Sequence, residues 1–158
     1  MNNLKRKVAI ASKIFKAGAC IFISLGIGHF SGTLVDMATP FLFTPVDIRV
    51  KKDMIASTML ITDRTSLWDA WMGFNLSHGF GVLIFGLAFL LLAHKRFESI
   101  VSLKFVYPLC IFVALVYFVL SLIFWFYLPA IGCFSGLMCF VVSFALMKNE
   151  WLRGGISE

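Results

Sequence analysis

Charge is what this chain has least of. From Phe105 to Met147, forty-three consecutive residues include no Asp, Glu, Lys or Arg. As one helix that run would measure roughly 64 Å, about twice the ~30 Å hydrocarbon core of a bilayer, so it must fold back. Across all 158 residues, 60% are hydrophobic and 14% charged, too little polar surface to cover a soluble core. A soluble domain is excluded, and one compact membrane domain is expected.

Thiol pairs are also missing. Cys20, Cys110, Cys133 and Cys139 lie in apolar stretches without C-x-x-C spacing, which excludes disulfide-exchange chemistry and fits free thiols packed as small hydrophobes. Ala17-Gly18-Ala19-Cys20 has the outline of a lipoprotein cleavage box, but Lys13 and Lys16 stand where its apolar segment belongs. There is no glycine-serine nucleophile elbow and no phosphate-cradling loop. The net charge of +6 does not mark a nucleic-acid binder, because the basic residues cluster at the ends of apolar runs, where membrane topology puts them.

What is present reads as four spans, about 17–38, 68–93, 105–123 and 129–147, forming an all-α four-transmembrane-helix bundle. Met1 to Lys16 reads as a basic arm. Segment 39–67 reads as an external polar loop; within it Met54 to Ile61 is apolar but too short to span, and is expected at the interface or folded over the bundle. Ser66 and Asp69 have capping-box spacing at the start of the second span, and Pro129 suits the first position of the fourth helix. Ten of the fourteen Lys and Arg residues fall on one side, placing both termini in the cytoplasm. Trp68, Trp71, Trp125 and Tyr127 then lie near the outer interface and Trp151 near the inner one.

The third and fourth spans read as scaffold. Polar residues concentrate in the first span (Ser24, His29, Ser31, Thr33, Asp36) and the second (Asp69, Asn75, Ser77, His78). In antiparallel neighbours each histidine sits roughly 10–14 Å below its aspartate, so both imidazoles reach a similar depth. His29, Thr33 and Asp36 share one helix face; Trp71, Phe74, Asn75 and His78 share another. Asp69 suits a helix start, whereas Asp36 at a helix C-terminus is disfavoured by the dipole and calls for compensation, from Arg64 or a ligand cation. Ionisable residues inside spans usually mark function, while the bland reading of His29 is an interhelical hydrogen bond to Asn75 or Ser77. Gly28-x-x-x-Gly32, Gly79 and Gly86 read as close-packing positions. Asn75-Leu76-Ser77 matches a glycosylation sequon by chance, inside a span.

Gly26-Ile-Gly-His-Phe-Ser-Gly32 with Trp68-Asp-Ala-Trp-Met-Gly-Phe-Asn-Leu-Ser-His-Gly-Phe-Gly81 resembles a family of small four-span bacterial inner-membrane proteins, and the first block is loosely similar to the first helix of DoxX-like proteins. The resemblance implies a four-span bundle in a bacterial inner membrane and no particular activity.

Three functions compete. In the first, a quinone- or lipid-like amphiphile binds between the first two helices at His29, Thr33, Asp36, Trp71, Asn75 and His78, with no cofactor. In the second, the chain is a non-enzymatic accessory or assembly subunit docking a membrane-protein partner or its own copy. In the third, His29 and His78 are axial ligands of haem b. A metal site lacks a complete ligand set.

Overall fold

The computed structural model describes residues 2–156. The order is α1 (Asn2–Ala38), α2 (Ile48–Ala56), β1 (Thr58–Met59), β2 (Thr62–Ser66), α3 (Leu67–Lys95), α4 (Phe97–Ser102), α5 (Val106–Ile123) and α6 (Tyr127–Arg153). Four helices, α1, α3, α5 and α6, are long and apolar enough to cross a bilayer. The chain is a multi-pass membrane protein of the all-α, four-helix class, with one two-stranded antiparallel hairpin, β1–β2, in the segment before α3.

Helix α1 does not begin near Ala17 but runs back to Asn2, so the basic arm is helical. The reason lies between the lysines. Ala11 and Phe15 are completely buried, while Lys13 is exposed and Lys16 half-buried. One stripe of the arm packs and the other carries charge on long stems that reach toward water.

The chain divides into two compact units: Met1–Leu25 with Ile84–Glu158, and Gly26–Leu83. The first holds the aromatic core. Phe15 meets Phe140 at 4.9 Å, Tyr107 at 5.7 Å and Phe97 at 6.2 Å between ring centroids. Phe22 stacks on Phe140 at 5.9 Å and meets Phe85 edge-on at 5.1 Å. In lipid, apolar burial alone drives no association, so such fitted contacts, about 0.5–1.5 kcal/mol per aromatic pair, carry the packing. Glycines let them form. A Cβ on Gly136 would sit 2.6 Å from Phe22 Cε2, and one on Gly86 would sit 2.7 Å from the Ala19 carbonyl oxygen.

One polar chain crosses this core. Ser143 Oγ donates to the Ala11 carbonyl at 2.9 Å, so the Tyr107 hydroxyl, 2.9 Å away, donates to Ser143 Oγ. The segment between α3 and α5 contains α4, whose Phe97, Ile100 and Val101 are buried. Between α5 and α6 the chain turns through Trp125 in the left-handed region (φ 59°), with the Phe126 amide donating back to the Ser121 carbonyl at 2.8 Å.

The second unit contains the last turns of α1, the segment 39–66 and the first turns of α3. Met54–Ile61 is not one element: it splits between the end of α2 and the hairpin. Asp47 caps α2, accepting from the Arg49 amide at 2.9 Å and pairing with the Arg49 guanidinium at 2.8 Å. These two bonds, the guanidinium's foremost, hold the Asp47 carboxyl below the ordinary carboxylate range. Helix α3 begins at a cap built on Ser66, whose Oγ accepts from the Asp69 amide at 3.1 Å and donates to Asp69 Oδ2 at 2.6 Å.

The expected Gly28-x-x-x-Gly32 packing motif is not one. A Cβ on Gly28 would meet nothing within 4 Å, and one on Gly32 would meet the side chain of loop residue Leu42. Helices α1 and α3 approach at Gly26, against the backbone of Leu83, and, as expected, at Gly79, where a Cβ would lie 2.7 Å from the Phe30 nitrogen.

Candidate functional site

Two polar groups are built in the second unit. The first is an anion cradle. Asp36 lies in the last turn of α1 and is completely buried. Its Oδ1 accepts from the Phe41 amide at 2.8 Å, the Thr44 amide at 3.1 Å and the Thr44 hydroxyl at 2.6 Å. Its Oδ2 accepts from the Leu42 and Phe43 amides, each at 2.8 Å. Successive backbone N–H groups converging on one anion form a nest. The compensation that a carboxylate at a helix C-terminus requires therefore comes from the returning loop, rather than from Arg64 or a bound cation. Both oxygens are spent on structure.

The second group is the histidine pair. His29, on α1, and His78, on α3, have ring centroids 5.0 Å apart at an interplanar angle of 60°. Gly79 permits it, because the missing side chain brings the backbone of α3 against Phe30 and the His29 ring edge. Asn75 completes the cluster. Its Nδ2 donates to the Trp71 carbonyl at 2.8 Å, which turns Oδ1 toward His29 Nε2 at 3.1 Å. An amide oxygen only accepts, so His29 donates through Nε2, which in the neutral ring leaves Nδ1 as the acceptor. Asn75 is buried, whereas both histidines are half-buried, so the pair opens on the surface of the unit. Phe74 stacks along His78 at 5.9 Å and is 62% exposed.

The cradle and the pair are joined through Phe43. Its amide is held by Asp36, its carbonyl accepts from Trp71 Nε1 at 3.1 Å, and its ring meets His29 at 4.6 Å. The loop is thus fastened against His29.

Of the six residues singled out from the sequence, His29, Asn75 and His78 come together. Trp71 supports them through its carbonyl and its indole N–H. Thr33, on the same face of α1, turns its hydroxyl to the His29 carbonyl at 2.8 Å. Asp36 faces the loop. Phe43 and Thr44 were missed. The available signal was Asp36 followed by a loop framed by Pro40 and Pro45, a carboxylate beside amides that no regular element could satisfy.

The haem alternative needs a macrocycle between the imidazoles. At 5.0 Å and edge-on, the rings themselves fill that space. Among the described residues no three His, Cys, Asp or Glu side chains gather into a metal-binding group. Comparison with protein-family models, curated proteins and solved structures finds no match.

Proposed function

We propose that this membrane protein binds the polar head of a small amphiphile, quinone- or lipid-like, at the surface formed by His29, Asn75 and His78. The observation that carries the reading is the meeting of two imidazoles and a carboxamide at one level on two membrane-spanning helices. Polar side chains placed in lipid are costly, and such residues within spans usually mark a binding or functional site. His29 offers an acceptor at Nδ1, which suits a hydroxyl donor such as a quinol or a glyceride. Phe43, Phe74 and Trp71 supply aromatic surface for the apolar body. The loop fastened by Asp36 positions Phe43 and restricts access from the side of segment 39–47. On the charge count, the termini lie in the cytoplasm and the site in the outer half of the membrane, which the resemblance to small four-span proteins implies is a bacterial inner membrane.

The test is purification in mild detergent followed by mass spectrometry of extracted small molecules. Wild type is expected to retain a specific amphiphile. His29→Ala and His78→Ala are expected to lose it while keeping wild-type helicity and monodispersity. Retention by both variants would defeat the proposal; collapse of both, with Asn75→Ala also collapsing, would assign the cluster to folding alone.

A further inference from the structure

The segment between α1 and α3 leaves many of its apolar side chains uncovered. Every residue of α2 is exposed or half-buried. At ~3.6 residues per turn, Ile48, Val50, Met54 and Ile55 fall on one arc of the helix, and Arg49, Lys52, Asp53 and Ala56 on the other. Lys51 stands in the middle of the apolar arc, with its Nζ 4.2 Å over the Trp68 ring in the first turn of α3. An aromatic face thus takes up the one charge on that arc, while Ile48, Val50 and Ile55 stay exposed around it. The hairpin repeats the pattern. Met59 pairs with Thr62, so its turn is Leu60-Ile61. Two-residue turns are ordinarily made by Asn, Asp or Gly, and an aliphatic pair gains nothing there from turn geometry. Both side chains are almost wholly exposed. Aliphatic residues set at a turn against its chemistry, and left bare, call for apolar surroundings.

Two observations choose lipid over a protein partner. The bare surface continues that of a membrane span: exposed Leu34 and Met37 near the end of α1 lead into exposed Phe41 and Leu42. Leu42 also lies back on α1, where a Cβ on Gly32 would be 2.6 Å from its Cδ1. The composition is that of an interfacial helix, with aliphatic residues on one arc and the basic Arg49 and Lys52 on the other. Protein hot spots centre instead on Trp, Tyr and Arg, with Leu and Val under-represented.

We propose that α2 and the hairpin form a lipid anchor, in which the apolar arc of α2 and the Leu60-Ile61 tip enter the leaflet on their own side of the membrane, to the ~5–10 Å depth of the boundary between head groups and acyl chains. The far end of the loop that carries Phe43 is thereby tied to the bilayer. The test uses the full wild-type chain in lipid nanodiscs with labelled Leu, Ile and Ala methyl groups; Leu60→Met, Ile61→Val and Ile55→Val, all at exposed positions, assign the signals. Relaxation is measured with a lipid carrying a nitroxide on its acyl chain near the head group, and separately with a water-soluble gadolinium chelate. The methyls of Leu60, Ile61 and Ile55 are expected to respond several-fold more to the lipid nitroxide than to the chelate, because paramagnetic relaxation falls with the sixth power of distance. Ala56, on the polar arc, is expected to show the reverse order. A stronger response of Ile55 or of the Leu60-Ile61 pair to the chelate would overturn the proposal; for the pair it would place the tip in water and leave it to a protein partner. Equal responses at all four residues would overturn it as well.

Discussion

Asp36→Asn should behave almost as badly as Asp36→Ala, although it is nearly isosteric. The carboxylate accepts five hydrogen bonds from residues 41–44, three on Oδ1 and two on Oδ2. Each bond contributes a net ~0.5–1.5 kcal/mol, and bonds to a charged group sit at the upper end or beyond it. Phe41 and Leu42 are exposed, so water replaces part of what is lost. A working figure for complete removal is therefore ~3 kcal/mol of local stability. Asparagine keeps one acceptor oxygen and points an NH₂ group at backbone N–H donors on the other side, replacing attraction with a donor–donor conflict. The assay is hydrogen exchange at the amides of Phe41, Leu42, Phe43 and Thr44 in detergent or nanodiscs. Protection should fall about 100-fold in both variants, because ~3 kcal/mol is roughly two decades in the opening equilibrium. Helix α1 upstream of Gly32 should be unchanged. If Asp36→Asn leaves these four amides protected, the cradle does not hold the loop and the reasoning fails.

The Tyr107–Ser143–Ala11 chain predicts non-additivity: Ser143→Ala orphans a buried phenol and should cost ~1–3 kcal/mol in thermal or denaturant unfolding, while Tyr107→Phe should cost ~1 kcal/mol and partly rescue the Ser143 variant when combined. Gly79→Ala should destabilise by ~1–3 kcal/mol through its clash with Phe30 and weaken the histidine contact, whereas Gly28→Ala, in open space, should be neutral or stabilise by up to ~1 kcal/mol, both read from melting in one detergent. The Asp47 carboxyl is held below its ordinary range by Arg49, so the cap on α2 is in place above that range and is lost as pH falls through the lowered value. Exchange at the Arg49 and Val50 amides should accelerate in acid with a midpoint below ~4, and an Asp47→Asn variant should show no such step.

The spans were legible because lipid enforces them: a long charge-free run has few alternatives, and the second span announces its start with Ser66 and Asp69. The same rule misled at the N-terminus. Charge density made residues 1–16 look like an arm, yet two of its residues, Ala11 and Phe15, sit in the core, a fact set by packing against α6 and invisible to composition. The meeting of His29, Asn75 and His78 followed from depth and helical phase, which are arithmetic properties of a helix. Gly79, which enables it, was legible as a close-packing position, but on α1 the familiar Gly28-x-x-x-Gly32 spacing pointed to the wrong glycines: the close approach falls at Gly26, because crossing points depend on both helices at once. Asp36 showed the need for compensation without its exact source, since a loop framed by Pro40 and Pro45 signals unpaired amides but not which of them turn toward the carboxylate.

The most direct test of the central claim is ¹⁵N solid-state NMR of histidine-labelled protein in bilayers, where only three histidines must be assigned. The account predicts His29 protonated at Nε2 and unprotonated at Nδ1, a through-space cross-peak between the His29 and His78 rings, and a shift at Nδ1 when the co-purifying amphiphile is restored to delipidated protein. A His29 protonated at Nδ1 with no contact to His78, unmoved by that ligand, would contradict it.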